Sequence, residues 1–164
     1  MNSISYLKAM YLERNRERFP SLPDAARVAP RYSDKTANGL TKCIIDFLRL
    51  KGHQAERVAV TGRYIDQSKV VQDVAGFKRR IGSGKWIPGS MQPGTADVSA
   101  TINGRSVKIE VKIRDKQSQV QRDYQNQVEA AGGAYVISTS FDQFLSWYES
   151  FIPVVRVMQY NHER

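Results

Sequence analysis

The stretch Gly94-Thr-Ala-Asp-Val-Ser-Ala-Thr-Ile-Asn103-Gly104-Arg-Ser-Val-Lys-Ile-Glu-Val-Lys-Ile113 decides the fold. Two runs of alternating polar and apolar residues flank Asn103-Gly104. A type I′ turn needs positive φ at both central residues, which Asn-Gly tolerates best, so the runs predict a β-hairpin. A two-residue loop also fixes the register. The numbers of facing residues sum to 207, which sets Asp97 opposite Glu110.

Side chains alternate faces along a strand. Val98, Ala100 and Ile102 therefore share one face with Val107, Ile109, Val111 and Ile113, the expected core face. The other face carries Asp97, Ser99 and Thr101 with Ser106, Lys108, Glu110 and Lys112. Like charges directly opposed across a ladder repel. Two facing carboxylates are explained by a bound divalent cation, since few protein oxygens plus water or phosphate describe a Mg²⁺ site. They are also compatible with a solvated outer sheet face on which Lys108 and Lys112 screen the charge.

Further along lies a helix bearing Gln121, which ends at Gly132-Gly133 before an apolar strand. Asp97, then Glu110-Val111-Lys112, then this helix and strand resemble the PD-(D/E)xK nuclease superfamily. Within it the nearest likeness is the VRR-Nuc type, related to Holliday-junction resolvases and common in phages and mobile elements. The resemblance spans roughly residues 35 to 145. Two positions depart from it. Ala96 replaces the usual Pro before the metal-binding Asp, and Asn38 and Asp34 stand nearest to where a helix Glu is usual.

The resemblance implies an α/β restriction-endonuclease-like core, a central mixed β-sheet flanked by helices. It implies hydrolysis of DNA phosphodiester bonds dependent on Mg²⁺ or Mn²⁺. Asp97 and Glu110, with the Val111 carbonyl, are expected to hold the ion. Lys112 is expected to position a water or offset charge on the phosphorane, and Gln121 to orient the water or Lys112. The missing helix Glu leaves a one-metal site. The expected substrate is duplex or branched DNA, of Holliday-junction type, and the expected assembly is a homodimer that cuts two strands symmetrically. A non-catalytic DNA-binding protein on the same fold is the alternative, and RNA processing a third possibility.

Composition points the same way. The chain has 164 residues, 41% of them hydrophobic, which is enough for one domain with a proper core. A net charge of +9 favours an acidic partner, most often nucleic acid. No apolar run reaches the length of a membrane span, so no membrane partner is expected and the chain reads as cytoplasmic. Cys43 stands alone, so neither an intrachain disulfide nor a thiolate zinc site is expected. Only His53 and His162 are present, which argues against a histidine-metal nuclease.

Residues 1–32 read as an N-terminal helical arm or dimer element and 33–164 as the nuclease-like domain. The periodicity of Ile4, Leu7, Met10 and Tyr11 predicts a helix over 3–18, equally compatible with packing on the domain's own core. Ala37, Leu40, Ile44, Phe47 and Leu48 predict a helix over 34–51, capped by Ser33 or Asp34 and closed by Gly52. Residues 56–62 read as a strand. Residues 63–93 read as a long loop with short β signals at 69–74 and 76–81. From Arg57 to Pro93 seven basic residues face two acidic ones, a net of +5. Arg63, Lys78, Arg79, Arg80 and Lys85 are the candidate phosphate contacts, and Trp86 or Phe77 the candidate base-stacking rings. A solvated loop and a core tryptophan are the plainer readings. Ser118–Ala131 is expected as a helix and 134–139 as a buried strand. A helix from an Asp142 cap to Tyr148 and an edge strand over 154–158 complete the chain.

Overall fold

The Asn-Gly turn forms as its residues dictate. Asn103 and Gly104 both hold positive φ, 46° and 78°. The strands they join are β6 (Val98–Ile102) and β7 (Arg105–Val111). Their antiparallel register runs from Ile102 opposite Arg105 to Val98 opposite Ile109, and every pair sums to 207. The computed structural model describes residues 2–58, 62–72, 74–87, 89 and 92–162, with only the backbone described at Arg63 and 154–162.

The hairpin is the centre of a four-stranded sheet. It is flanked by β1 (Gln54–Arg57) beside β6 and by β8 (Ala134–Ser138) beside β7. β1 and β6 run antiparallel, and β7 and β8 parallel. The parallel step requires a crossover, and α3 (Gln119–Ala130) provides it. The chain is therefore a mixed α/β protein with a central mixed sheet flanked by helices.

The apolar face of the hairpin is buried as the alternation requires. Val98, Ile102, Val107 and Ile109 are wholly buried, and Ala100 and Val111 nearly so. They meet α2 (Ala37–Leu50) and α4 (Phe141–His162). Leu40, Ile44, Phe47 and Leu48 of α2 repeat at helical spacing and are buried. The Phe47 ring sits edge-on to Phe141, Phe144 and Tyr148, with centroids 5.0–6.1 Å apart. Each such side chain contributes about 1.5–3 kcal/mol by leaving water. The helix α1 (Ser3–Arg18) lies on this core rather than apart from it. Leu7 is wholly buried, and Ile4 and Met10 pack against the same cluster.

Several boundaries differ from expectation, each for a local reason. Thr36 caps α2, its Oγ1 accepting from the Gly39 N–H at 3.1 Å. Asp34 instead accepts from Phe141 N–H at the start of α4. β1 begins two residues early, because it pairs with β6 and runs out where β6 does. Val60 and the rest of 59–61 lie outside the described residues. Ser140, not Asp142, caps α4, with its Oγ accepting from Gln143 N–H at 3.2 Å. The expected edge strand over 154–158 is helical instead. α4 runs through Pro153 to His162, and buried Phe151, seven residues after Phe144, carries its inward face past Tyr148.

The 63–93 segment holds more structure than a loop. Besides β3 (Lys69–Gln72) and β4 (Lys78–Ile81), it contains β2 (Arg63–Asp66) and β5 (Gly84–Ile87). β2 pairs antiparallel with β5, and β3 with β4. Sequence alternation is a weak guide here, because neither face is buried against the core.

Candidate metal and phosphate site

Asp97 is the residue just before β6, and Glu110 is the penultimate residue of β7. The ladder that fixes 207 as the register sum brings them together at the open end of the hairpin. The Asp97 carboxylate takes a defined position. Its Oδ2 accepts from the Val111 N–H at 2.9 Å, while its own carbonyl accepts from Val58 N–H at 2.8 Å. Asp97 thus joins the exit of β1 to the end of β7.

Glu110 is only 3% exposed. The helix α3 covers this face of the sheet, and its first turn supplies Gln121. A capping box builds that turn. Ser118 Oγ accepts from Gln121 N–H, and Gln121 Oε1 accepts from Ser118 N–H at 3.0 Å. The other end of the same amide, Nε2, donates to Glu110 Oε1. Lys112 Nζ lies 3.2 Å from that same oxygen, with its side chain 16% exposed. Glu110, Lys112 and Gln121 are thus in direct contact, and Asp97 stands close enough for its charge to act on Glu110; the hairpin register indicated the two carboxylates, and the family likeness indicated Gln121.

The electrostatics follow from the packing. Burial pushes the Glu110 carboxyl pKa up, and the Asp97 charge pushes it further. Lys112 and Gln121 act in the opposite direction. The pair thus sets a buried Glu110 against a half-buried Asp97 whose charge opposes it, with one cation beside them. Lys108, on the same face, is turned to Ser99 instead, with Nζ 2.7 Å from its Oγ.

The donor set fits a hard divalent cation. Among the described residues, no hydrogen bond reaches Asp97 Oδ1 or Glu110 Oε2, since the partners sit on the other oxygens. A strand residue directs its N–H and C=O to the same edge. Lys112 N–H goes to Ser138 on β8. The Val111 carbonyl therefore faces the opposite edge, where its N–H meets Asp97. Among the described residues no three His, Cys, Asp or Glu side chains gather at one point. The set is two carboxylates and a backbone carbonyl. Asn38 and Asp34 are engaged elsewhere, Asn38 Oδ1 accepting from Arg57 Nη2 at 2.7 Å.

Two features of the site are not apparent from the strand and helix pattern. Gly94 holds φ +80°, and a Cβ there would lie 2.5 Å from the Val120 carbonyl oxygen. The loop carrying Asp97 is therefore docked directly on the turn carrying Gln121. Tyr135 on β8 pairs in register with Lys108 and is buried on the carboxylate side. Burial, and then the Glu110 charge, raises its pKa, so it stays a neutral hydroxyl. An alternating register across three strands would have placed it there, but a strand read as uniformly buried hides the face it uses.

The candidate nucleic-acid residues lie on the β2–β5 segment. Lys78, Arg79, Arg80 and Lys85 are all exposed. Trp86 is 57% exposed and Phe77 69%, so neither is a core aromatic. Arg80 is tied to Asp66 at 2.6 Å and to Ser68 Oγ at 2.7 Å. The Arg63 side chain lies outside the described residues. Among the described residues no helix is long and apolar enough to cross a membrane. No known family model matches this chain, and no curated protein matches it.

Proposed function

We propose that this protein is a DNA endonuclease, dependent on Mg²⁺ or Mn²⁺, that hydrolyses phosphodiester bonds and selects branched DNA. The observation that supports it most is the Asp97–Glu110 pair, with Glu110 buried, beside Lys112 and Gln121 at the hairpin's open end. Two repelling carboxylates kept in one place cost stability unless they serve a cation.

In this reading Asp97, Glu110 and the Val111 carbonyl hold the ion. The ion, when bound, supplies a Lewis acid for the scissile phosphate and lowers the pKa of an attacking water. Lys112 offsets charge that builds on the phosphate oxygens. Gln121 fixes the Glu110 rotamer by holding Oε1, which directs Oε2 to the open side. The basic segment around Arg79 and Lys85 binds the phosphate backbone, and a homodimer presents two such sites to the two strands of a junction. The restriction-endonuclease-like likeness in sequence is the ground for the branched substrate.

A second reading, a DNA-binding protein without catalysis, draws on one observation. Asn38 stands where a third carboxylate is usual, and it is occupied by Arg57. Incubating the purified protein with labelled linear, flap, bubble and four-way-junction DNA, in Mg²⁺, Mn²⁺ or EDTA, separates the two. Metal-dependent cleavage that disappears in Asp97→Asn is the expected result. Tight binding without cutting in any metal would leave the second reading.

A further inference from the structure

The two small sheets follow one another in a common register. Facing residues sum to 150 in β2–β5 and again in β3–β4. Residues 67–68 and 82–83 interrupt the ladder, and Arg80 of β4 reaches across the interval to Ser68 and Asp66. Residues 63–72 and 78–87 thus make a two-stranded ribbon in two segments. At about 3.3 Å per residue it is roughly 33 Å long. Its base is close to the candidate site in sequence, since the chain leaves β1 at Val58, which is hydrogen-bonded to Asp97.

The two faces of the ribbon differ in chemistry. In this register residues i and 150 − i share a face. The even-numbered face sets Tyr64 beside Trp86, Val70 beside Arg80 and Gln72 beside Lys78, and it ties Arg80 to Asp66. On the odd-numbered face the cross-strand pairs are Ile65 with Lys85, Lys69 with Ile81, and Val71 with Arg79. Every one of these pairs joins one cation to one aliphatic side chain. The cations lie on both strands, Lys69 on one and Arg79 and Lys85 on the other. Two of the aliphatics are exposed, Ile81 at 57% and Val71 at 46%, and Ile65 is half-buried.

A face of this kind is unsuited to a protein core and suited to a polyanion with apolar edges at its floor. The major groove of B-DNA is about 12 Å wide and admits a two-stranded ribbon. Its walls are phosphates and its floor carries base edges and thymine methyl groups. We propose that the 63–87 ribbon is an arm that lies in the major groove of duplex DNA on its odd-numbered face. Lys69, Arg79 and Lys85 contact phosphates on the two walls, and Val71 and Ile81 pack toward the base edges. The inference rests on DNA as the partner and is independent of whether the Asp97 site cleaves.

The test is binding without cleavage. Anisotropy of a labelled 30-base-pair duplex is followed in EDTA over a range of salt, for the wild type and for Lys69→Gln/Lys85→Gln. Each lost phosphate contact lowers the slope of log K against log salt by about 0.9, so the double variant loses about 1.8. Lys8→Gln, an exposed lysine on α1 outside the ribbon, leaves the slope unchanged. Val71→Ala/Ile81→Ala weakens binding without altering the slope. Circular dichroism checks that each exposed-site variant is folded. An unchanged slope in the double variant overturns the proposal, as does an equal fall in Lys8→Gln. A-form RNA has a major groove too deep and narrow for the ribbon, so equal competition by duplex RNA overturns the groove assignment. If Val71→Ala/Ile81→Ala instead breaks a dimer in sedimentation and leaves DNA binding intact, the face is a self-association surface. Because no metal is present, loss of cleavage elsewhere cannot produce any of these outcomes.

Discussion

Gly94→Ala tests how tightly the carboxylate site depends on the loop before it. Gly94, Gly52 and Gly132 share the same backbone strain problem, with φ of +80°, +84° and +81°. An L-residue in that region costs about 1–2 kcal/mol. At Gly52 and Gly132 nothing lies within 4 Å of an added Cβ, so alanine there costs that amount and no more. At Gly94 the same Cβ would meet the Val120 carbonyl oxygen at 2.5 Å and its carbon at 2.8 Å. Those are backbone atoms of α3's first turn and cannot swing aside. Overpacking of this kind adds about 1–3 kcal/mol. Urea denaturation should therefore rank Gly94→Ala below the two controls by that difference. The relief available is for the Asp97 loop to lift away from Gln121. A displacement near 1 Å lowers a positioned reaction by about a hundredfold, so cleavage by the folded fraction should fall in Gly94→Ala and not in the controls. Equal stability of all three variants, with wild-type cleavage by Gly94→Ala, would refute the docking argument.

Two predictions concern the carboxylates themselves. A divalent cation at ten times its Kd should stabilise the protein by about 1.4 kcal/mol, a rise in Tm of about 3–6 °C. Differential scanning fluorimetry should show this rise in the wild type and its absence in Asp97→Asn. The second follows from the raised pKa of Glu110. The folded state holds the Glu110 proton more tightly than the unfolded chain, so this group's contribution falls as pH rises from the usual glutamate value of 4.5 through the folded one. Metal-free wild type should therefore lose stability relative to Glu110→Gln across that window. A Tm difference that stays constant with pH would contradict it.

Much of the site was legible because it rests on local chemistry. Asn103-Gly104 favours one turn geometry, and that turn fixes every pair up to Val98 and Ile109, one step from Asp97 and Glu110. Gln121 was legible only through a family likeness; on helix pattern alone it is an exposed polar residue. What escaped depends on tertiary contact. Gly94 is special because of a carbonyl across a loop, and Tyr135 because of the face it shares with Lys108. The ribbon escaped for a different reason. Hydrophobic alternation reports a buried face, and β2 to β5 have none, so their pairing left only short β signals. The Pro153 helix was hidden by the ordinary rule that proline stops a helix.

Glu110→Gln offers the most direct test of the central claim. The substitution keeps the shape of the side chain and an oxygen to accept from Gln121 and Lys112, while removing the charge that repels Asp97. It should fold at least as well as the wild type above pH 4.5 and bind DNA as tightly. The measurement is single-turnover cleavage of a four-way junction in Mg²⁺ by wild type and variant at equal folded concentration. The account predicts a loss of at least about a hundredfold. Cleavage at the wild-type rate by Glu110→Gln would show that the Asp97–Glu110 pair is not the catalytic site.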